Sequence, residues 1–310
     1  MIGEKLGNYT VLEIIGSGSI GTVYKAEDSA GQYVAVKLVR SQVLQSMEKR
    51  ERFLQCLLAA SEMKHHSLCP ILEIGDDNND FFIITPFIQG TTLENVIGKK
   101  PLPPLQALHI AREIASALEV IHSAGTVHRG LRPSNIWILN AREKGVILSD
   151  YCIARFTETS TYGRIRSAVH KAGFIGMRIS LDEYAYMSPE QIRGESLDAR
   201  TDIFSFGVVL FEMLSGRHPF EARNSLSRVS AILKADPPPL FAKHTPLAKK
   251  LESTINKALA KNREYRYQSV HGFMSDIIGA HESTVIRGDG IRFGVGLRKW
   301  FADRFIRKHL

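Results

Sequence analysis

The chain has 310 residues, of which 44% are hydrophobic, 23% charged and 8% aromatic, a globular composition that excludes collagen-like, low-complexity and disordered classes. Its three cysteines, Cys56, Cys69 and Cys152, are scattered and lack C-x-x-C spacing, which argues against a disulfide framework or zinc ribbon and for a reducing, cytoplasmic compartment. The net charge of +8 is lopsided, because residues 281–310 hold seven Lys or Arg against three Asp or Glu, a net +4; with no recognition fold beside that charge, a nucleic-acid partner is not expected. No apolar h-region follows Met1–Lys5, and the longest apolar stretch, Phe206–Leu214, is far short of a membrane span.

In chain order, alternating or continuous apolar runs predict strands at Tyr9–Ile15, Thr22–Glu27, Tyr33–Val39, Ile71–Ile74 and Phe81–Phe87. One helix interrupts them: Ser46–Met63 has few breakers and places Phe53, Leu57, Ala60 and Met63 at spacings of three and four. From Pro104 onward the pattern turns helical, with segments at Leu105–His122, Asp202–Ser215, Ser225–Lys234 and Pro246–Ala260. The Asp76–Asp80 and Pro237–Pro239 clusters read as turns. A small β-rich part therefore precedes a larger helical one.

Gly16, Gly18 and Gly21 form a GxGxxG pattern between two predicted strands, a weak signal alone because glycine hairpins are common. It is followed by Val34-Ala35-Val36-Lys37 at the spacing of a hairpin plus one strand, and that combination is far more specific. Downstream, in order, come Val127-His128-Arg129-Gly130-Leu131-Arg132-Pro133-Ser134-Asn135, Leu148-Ser149-Asp150-Tyr151-Cys152, Met187-Ser188-Pro189-Glu190 and Asp202-Ile203-Phe204-Ser205-Phe206-Gly207. On these motifs the chain resembles eukaryotic-type Ser/Thr protein kinases of the bacterial kind over about Leu6–Gly279.

The resemblance implies an α+β, bilobal protein-kinase-like fold: an N-lobe over residues 1–88, a C-lobe over 89–280, and a basic tail over 281–310. It implies ATP and Mg²⁺ as cofactors. The glycines would close backbone amides over phosphates, Lys37 would meet the α and β phosphates, and Asn135 and Asp150 would supply oxygens to the metal. Adenine would lie between Val23 and Ala35 above and Trp137 below, against a hinge at Pro86 and Ile88. The resemblance also gives structural roles: Asp202 would hold the His128-Arg129 turn, and Glu190 would pair with Arg266.

The departures cluster at the chemistry. Gly130 stands where the family places its catalytic Asp, and a glycine accepts no proton. Arg132 replaces the loop Lys. Cys56 occupies the place of the helix Glu that pairs with the strand Lys, and positions three, four and seven away hold no acid, so Lys37 is expected to lack its partner. Glu183 replaces a Thr before Ser188-Pro189-Glu190, and Cys152 replaces the Gly of the Asp-Phe-Gly motif. Trp137 is larger than the aliphatic residue usual there and is expected to fill the adenine space, making ATP binding weak or absent.

Two small thiols, Cys56 and Cys152, should approach one another, as packing more than as a redox switch. Thr157, Thr159, Ser160, Thr161 and Tyr162 read as a solvated polar loop rather than modification sites met by Arg129. The tail interleaves Leu297, Trp300, Phe301 and Phe305 with basic residues, a moderately amphipathic pattern that suits an anionic membrane surface through 295–310, a protein partner, or a helix packed on the C-lobe. The expectation is a pseudokinase, a non-catalytic scaffold or allosteric module for a protein partner such as an active kinase; the alternative is a Ser/Thr kinase of low or atypical activity.

Overall fold

The computed structural model describes residues 2–18, 20–41, 44, 46–77, 80–140, 145–153, 184–240 and 246–286. The expectations on the 157–162 loop, on Glu183 and on 295–310 lie outside these residues.

The N-terminal part is a six-stranded antiparallel sheet built from β1 (Lys5–Leu6), β2 (Tyr9–Ser17), β3 (Gly21–Glu27), β4 (Tyr33–Val39), β5 (Glu73–Asp77) and β6 (Asp80–Pro86), in the order β1-β2-β3-β4-β6-β5. Alternation sorts its side chains. On β6, Phe82 and Ile84 join Val11, Ala26, Val34 and Val36 in one cluster, while Phe81 and Ile83 join Val39, Phe53 and Leu57 in another, as a two-residue period requires. Phe53 and Leu57 come from helix α1 (Met47–Ser61), which starts where the Ser46 hydroxyl accepts the Lys49 N–H at 3.2 Å. Among the described residues, a helix packs on one face of the sheet, through Phe53 and Leu57.

Strand β5 lies two residues later than the apolar run Ile71–Ile74 predicts. Its partner decides this: β5 pairs Gly75 with Phe82 and Asp77 with Asp80, so hairpin register carries the strand through polar residues that hydrophobicity leaves out.

Past Pro86 come β7 (Gly90–Thr92), α2 (Leu93–Ile97) and α3 (Pro104–Ser123), then a 3₁₀ turn (Pro133–Asn135), β8 (Ile136–Leu139) and β9 (Val146–Leu148). The last two strands and β7 form a small sheet in the order β7-β8-β9. Helices α4 (Pro189–Arg193), α5 (Ala199–Ser215), α6 (Ser225–Lys234), α7 (Pro246–Ala258) and α8 (Val270–Ile286) complete the C-terminal part. Helix α5 buries residues on every side, from Ile203 and Phe204 to Phe211 and Met213, so it is the central post of the large core. The buried faces of α3 and α8 lean on it. Helix α8 runs over Val270–Ile286, so its last residues fall within the stretch 281–310 read from the sequence as the basic tail.

The two parts are also tied across their seam. Cys69 N–H donates to the Leu148 carbonyl at 2.9 Å, Leu148 N–H donates to that of Ser67 at 2.8 Å, and the Tyr151 hydroxyl donates to that of Cys69 at 2.9 Å.

Candidate functional site

A cavity of about 150 Å³ lies in that seam. Val23 on β3, Ala35 and Lys37 on β4, Pro86 and Ile88 at the connection between the lobes, Asn135 at the 3₁₀ turn, Trp137 on β8 and Asp150 after β9 all line it. Eight residues singled out from the sequence therefore meet in one place. The β3–β4 register sets Val23 opposite Lys37, which is how a hairpin and a strand bring distant motif residues to one face. Gly16 lies near the end of β2, Gly18 in the turn and Gly21 at the start of β3, and Gly130 and Cys56 stand outside the lining.

Lys37 is not unpaired, as the sequence suggested. Its ammonium donates to Asp150 Oδ1, a partner reached across the cleft and invisible to a search along the α1 face. Burial raises the Asp150 pKa, but the Lys37 and Arg132 cations outweigh it and hold the carboxyl below its ordinary range. Asn135 Nδ2 donates to the Gly130 carbonyl at 2.8 Å, which leaves its amide oxygen as the donor atom for a cation. Among the described residues no three His, Cys, Asp or Glu side chains gather as a metal cage. One carboxylate and one amide oxygen suit Mg²⁺ that arrives with phosphate ligands of its own, so these residues fit MgATP.

The indole of Trp137 lines the cavity, and about 150 Å³ of space remains beside it. Its Nε1–H donates to Ser149 Oγ at 3.3 Å, and that hydroxyl in turn donates to the Asn135 carbonyl at 3.3 Å. A polar anchor for the ring was missed in the sequence, although a hydroxyl one residue before Asp150 was the available signal.

The loop that carries Gly130 is held rigidly. Asp202 is fully buried and accepts the His128 and Arg129 N–H groups, each at 2.8 Å, together with His122 Nε2 at 2.8 Å. The Gly130 N–H donates to His128 Nδ1 at 3.2 Å. Burial pushes the His128 pKa down, and because the ring is fully buried with Nδ1 accepting the Gly130 N–H it cannot reach a substrate as a replacement base. Asp150 and Asp202 are likewise committed to Lys37 and to the loop backbone. The machinery that would position a catalytic carboxylate is intact around a residue that has none.

Cys56 donates its thiol to the Cys152 carbonyl at 3.6 Å, and neither cysteine is in a disulfide. The hydrogen bond from Cys56 and burial together raise the Cys152 pKa, which fits packing better than reactivity. Cys152 has φ 67° and Asp150 φ 63°. The chain thus keeps a left-handed backbone at Cys152 with a side chain that finds it costly. The Glu190–Arg266 pair is buried and doubly bonded, at 2.6 and 2.8 Å.

The protein kinase domain model matches residues 9–276. The chain belongs to the protein kinase family. It is 32% identical over 279 residues to the Serine/threonine-protein kinase PknB of Mycobacterium leprae, covering 88% of this chain and 43% of that protein. It is 30% identical over 286 residues to PrkC of Bacillus subtilis, also a serine/threonine-protein kinase, covering 91% and 42%. The chain therefore spans less than half the length of these curated relatives. Among solved structures it matches the PknI kinase domain of Mycobacterium tuberculosis with a TM-score of 0.68 at 21% identity, covering 90% of this chain and 99% of that one, a likeness of fold. The bilobal kinase fold is thus established. Family membership brings ATP and Mg²⁺ as the usual cofactors, and the relatives' names fit the Ser/Thr kinase alternative better than the non-catalytic reading. Among the described residues no helix is long and apolar enough to cross a membrane.

Proposed function

We propose that this kinase-family domain is a signalling module that has given up efficient phosphoryl transfer and acts on a protein partner, such as an active kinase, through its conformation. The observation that carries this reading is Gly130: a loop braced by Asp202 and His128 presents backbone where the family's general base would stand. A base of that kind contributes about 10²–10⁴ in rate. Loss of the α1 acid at Cys56 adds to it, and Lys37 turns to Asp150 instead. The basic stretch 295–310 offers a handle for a partner or an anionic membrane.

A second reading has its own support. The relatives are Ser/Thr kinases, and Lys37, Asn135 and Asp150 line one cavity. Phosphoryl transfer depends mainly on position and charge. In that reading bound MgATP supplies the phosphoryl group. Lys37 would orient the phosphates, Asp150 and Asn135 would hold the cation, and Arg132 would steady the transferring charge, with the hydroxyl proton passing to a phosphate oxygen of the transferred group or to solvent in place of a carboxylate at 130.

The discriminating experiment is radiolabel transfer from ATP with Mg²⁺ to the chain itself and to generic Ser/Thr substrates, beside an Asp150→Ala control. No signal above that control is expected. Transfer that vanishes in Asp150→Ala would establish the kinase reading.

A further inference from the structure

Lys261, in the connection between α7 and α8, is no part of the cleft. Its backbone is fixed by Arg266, whose guanidinium donates to the Ala260 carbonyl at 2.7 Å and to the Lys261 carbonyl at 3.2 Å while holding Glu190. From that anchored position the half-buried side chain meets two rings. Phe204 of α5 and Phe220 beyond it are buried and stacked, with centroids 6.0 Å apart and 6° between their planes. Arg266 Cζ lies 4.9 Å from the Phe204 centroid, and the Lys261 ammonium lies 3.9 Å from that of Phe220 and 5.8 Å from that of Phe204. Two cations thus share one pair of rings.

They are satisfied unequally. Arg266 has the buried Glu190 carboxylate, whereas the ammonium of Lys261 has one acceptor among the described residues, the Ala231 carbonyl on α6, at the outer limit of 3.5 Å, and no ion pair there. The ring faces attract its charge. They also keep water from it, and a cation short of both water and a close carboxylate shifts toward the neutral amine. Burial accordingly lowers the Lys261 pKa to about 8, opposed by the exposed Asp236 carboxylate and helped by the Arg266 cation. At that pH about half of the side chain is free amine, against less than about 1% for an ordinary lysine of pKa about 10.4. Lys257 gives the contrast within the same chain: its ammonium lies 4.0 Å from the Tyr267 centroid, yet the residue is exposed.

We propose that Lys261 is an acylation site, which takes an acyl group from an acyl phosphate or an acyl thioester. The Nζ lone pair attacks the acyl carbonyl carbon, the bond from that carbon to the phosphate oxygen or thioester sulfur breaks, and phosphate or thiolate leaves with the electron pair. The nitrogen gives one proton to solvent, so a neutral amide replaces the amine and nothing is oxidised or reduced. Part of the gain in free amine is lost again, because a weaker base is a weaker nucleophile, as in thiol exchange. The reaction needs neither nucleotide nor a base at 130, so its outcome is separate from what the cleft does.

The test incubates the whole chain with acetyl phosphate or with an acetyl thioester over a range of about pH 6 to 10 and reads the acetylated fraction of each lysine by peptide mass spectrometry. At about pH 8 Lys261 is expected to label about fivefold or more faster than Lys257, with a rate that levels off above that pH. In urea this lead should vanish, because the fold creates it. The donor that labels Lys261 faster is identified as the source. Asp236→Asn, a change at an exposed position, should move the pH midpoint down, and Lys261→Arg should remove the label from its peptide. Labelling of Lys261 no faster than Lys257 by either donor, a lead that survives urea, or a rate still rising at about pH 10 would overturn the proposal.

Discussion

Asp202 shows how much one side chain supports. Its carboxylate takes three hydrogen bonds that hold the His128-Arg129 turn and His122. Burial raises its pKa, yet the bond and charge of His122 and the loop amide outweigh burial and set it below the ordinary range. A carboxyl with a depressed folded pKa stabilises the fold above its unfolded pKa and loses that contribution as pH falls through the folded value. Urea midpoints should therefore hold steady from neutral pH down to about pH 5 and fall below it, given an unfolded Asp pKa of about 3.9. Asp202→Asn should be less stable at neutral pH and show a shallower acid limb. An unchanged limb would mean other carboxyls dominate. Asp202 braces the loop through the His128 and Arg129 amides, so its structural role does not depend on which residue stands at 130.

At the scale of elements, two glycines of the β2–β3 turn that the sequence treats alike have different reasons to be glycine. A Cβ on Gly21 would lie 1.7 Å from the Leu38 carbonyl oxygen, whereas one on Gly18 meets nothing within 4 Å. Gly21 is glycine because β4 passes against it, independent of any phosphate. Gly21→Ala is expected to cost about 1–3 kcal/mol as overpacking, and Gly18→Ala to stay within about 0.5 kcal/mol, both read from denaturant midpoints. Equal losses would contradict the close approach. The same contrast marks how far the sequence could be read. Ser225–Lys234 was legible to the residue, because its period and Asn224 cap are local. Strands β7, β8 and β9, of three or four residues, and helices α2 and α4, of five, passed unread, because their stability lies in tertiary partners rather than in a pattern of their own. In the site, the motif residues were legible because their order carries them. The Lys37–Asp150 and Trp137–Ser149 contacts were not, since each crosses between elements.

For the whole molecule, the cleft is a seam, so a ligand there stabilises both lobes together. One millimolar ATP bound with a Kd of about 10 μM would add about 2.7 kcal/mol, and with a Kd of about 1 mM only about 0.4 kcal/mol. At about 2–4 °C per kcal/mol these differ as a shift of several degrees against one or two. The smaller shift is expected, with Trp137→Leu raising it; a large shift in the unmodified chain would show that the indole is no obstacle. The lobes meet directly through Lys37 and Asp150, and α1 meets the motif where the Cys56 thiol reaches the Cys152 carbonyl. Cys152 is only 3% exposed, and buried Cys69 has its pKa pushed up to about 12. A thiol reagent can reach Cys152 only when the packing around its thiol, Thr126 included, opens, so its alkylation rate times the breathing of this part of the core with no engineered probe.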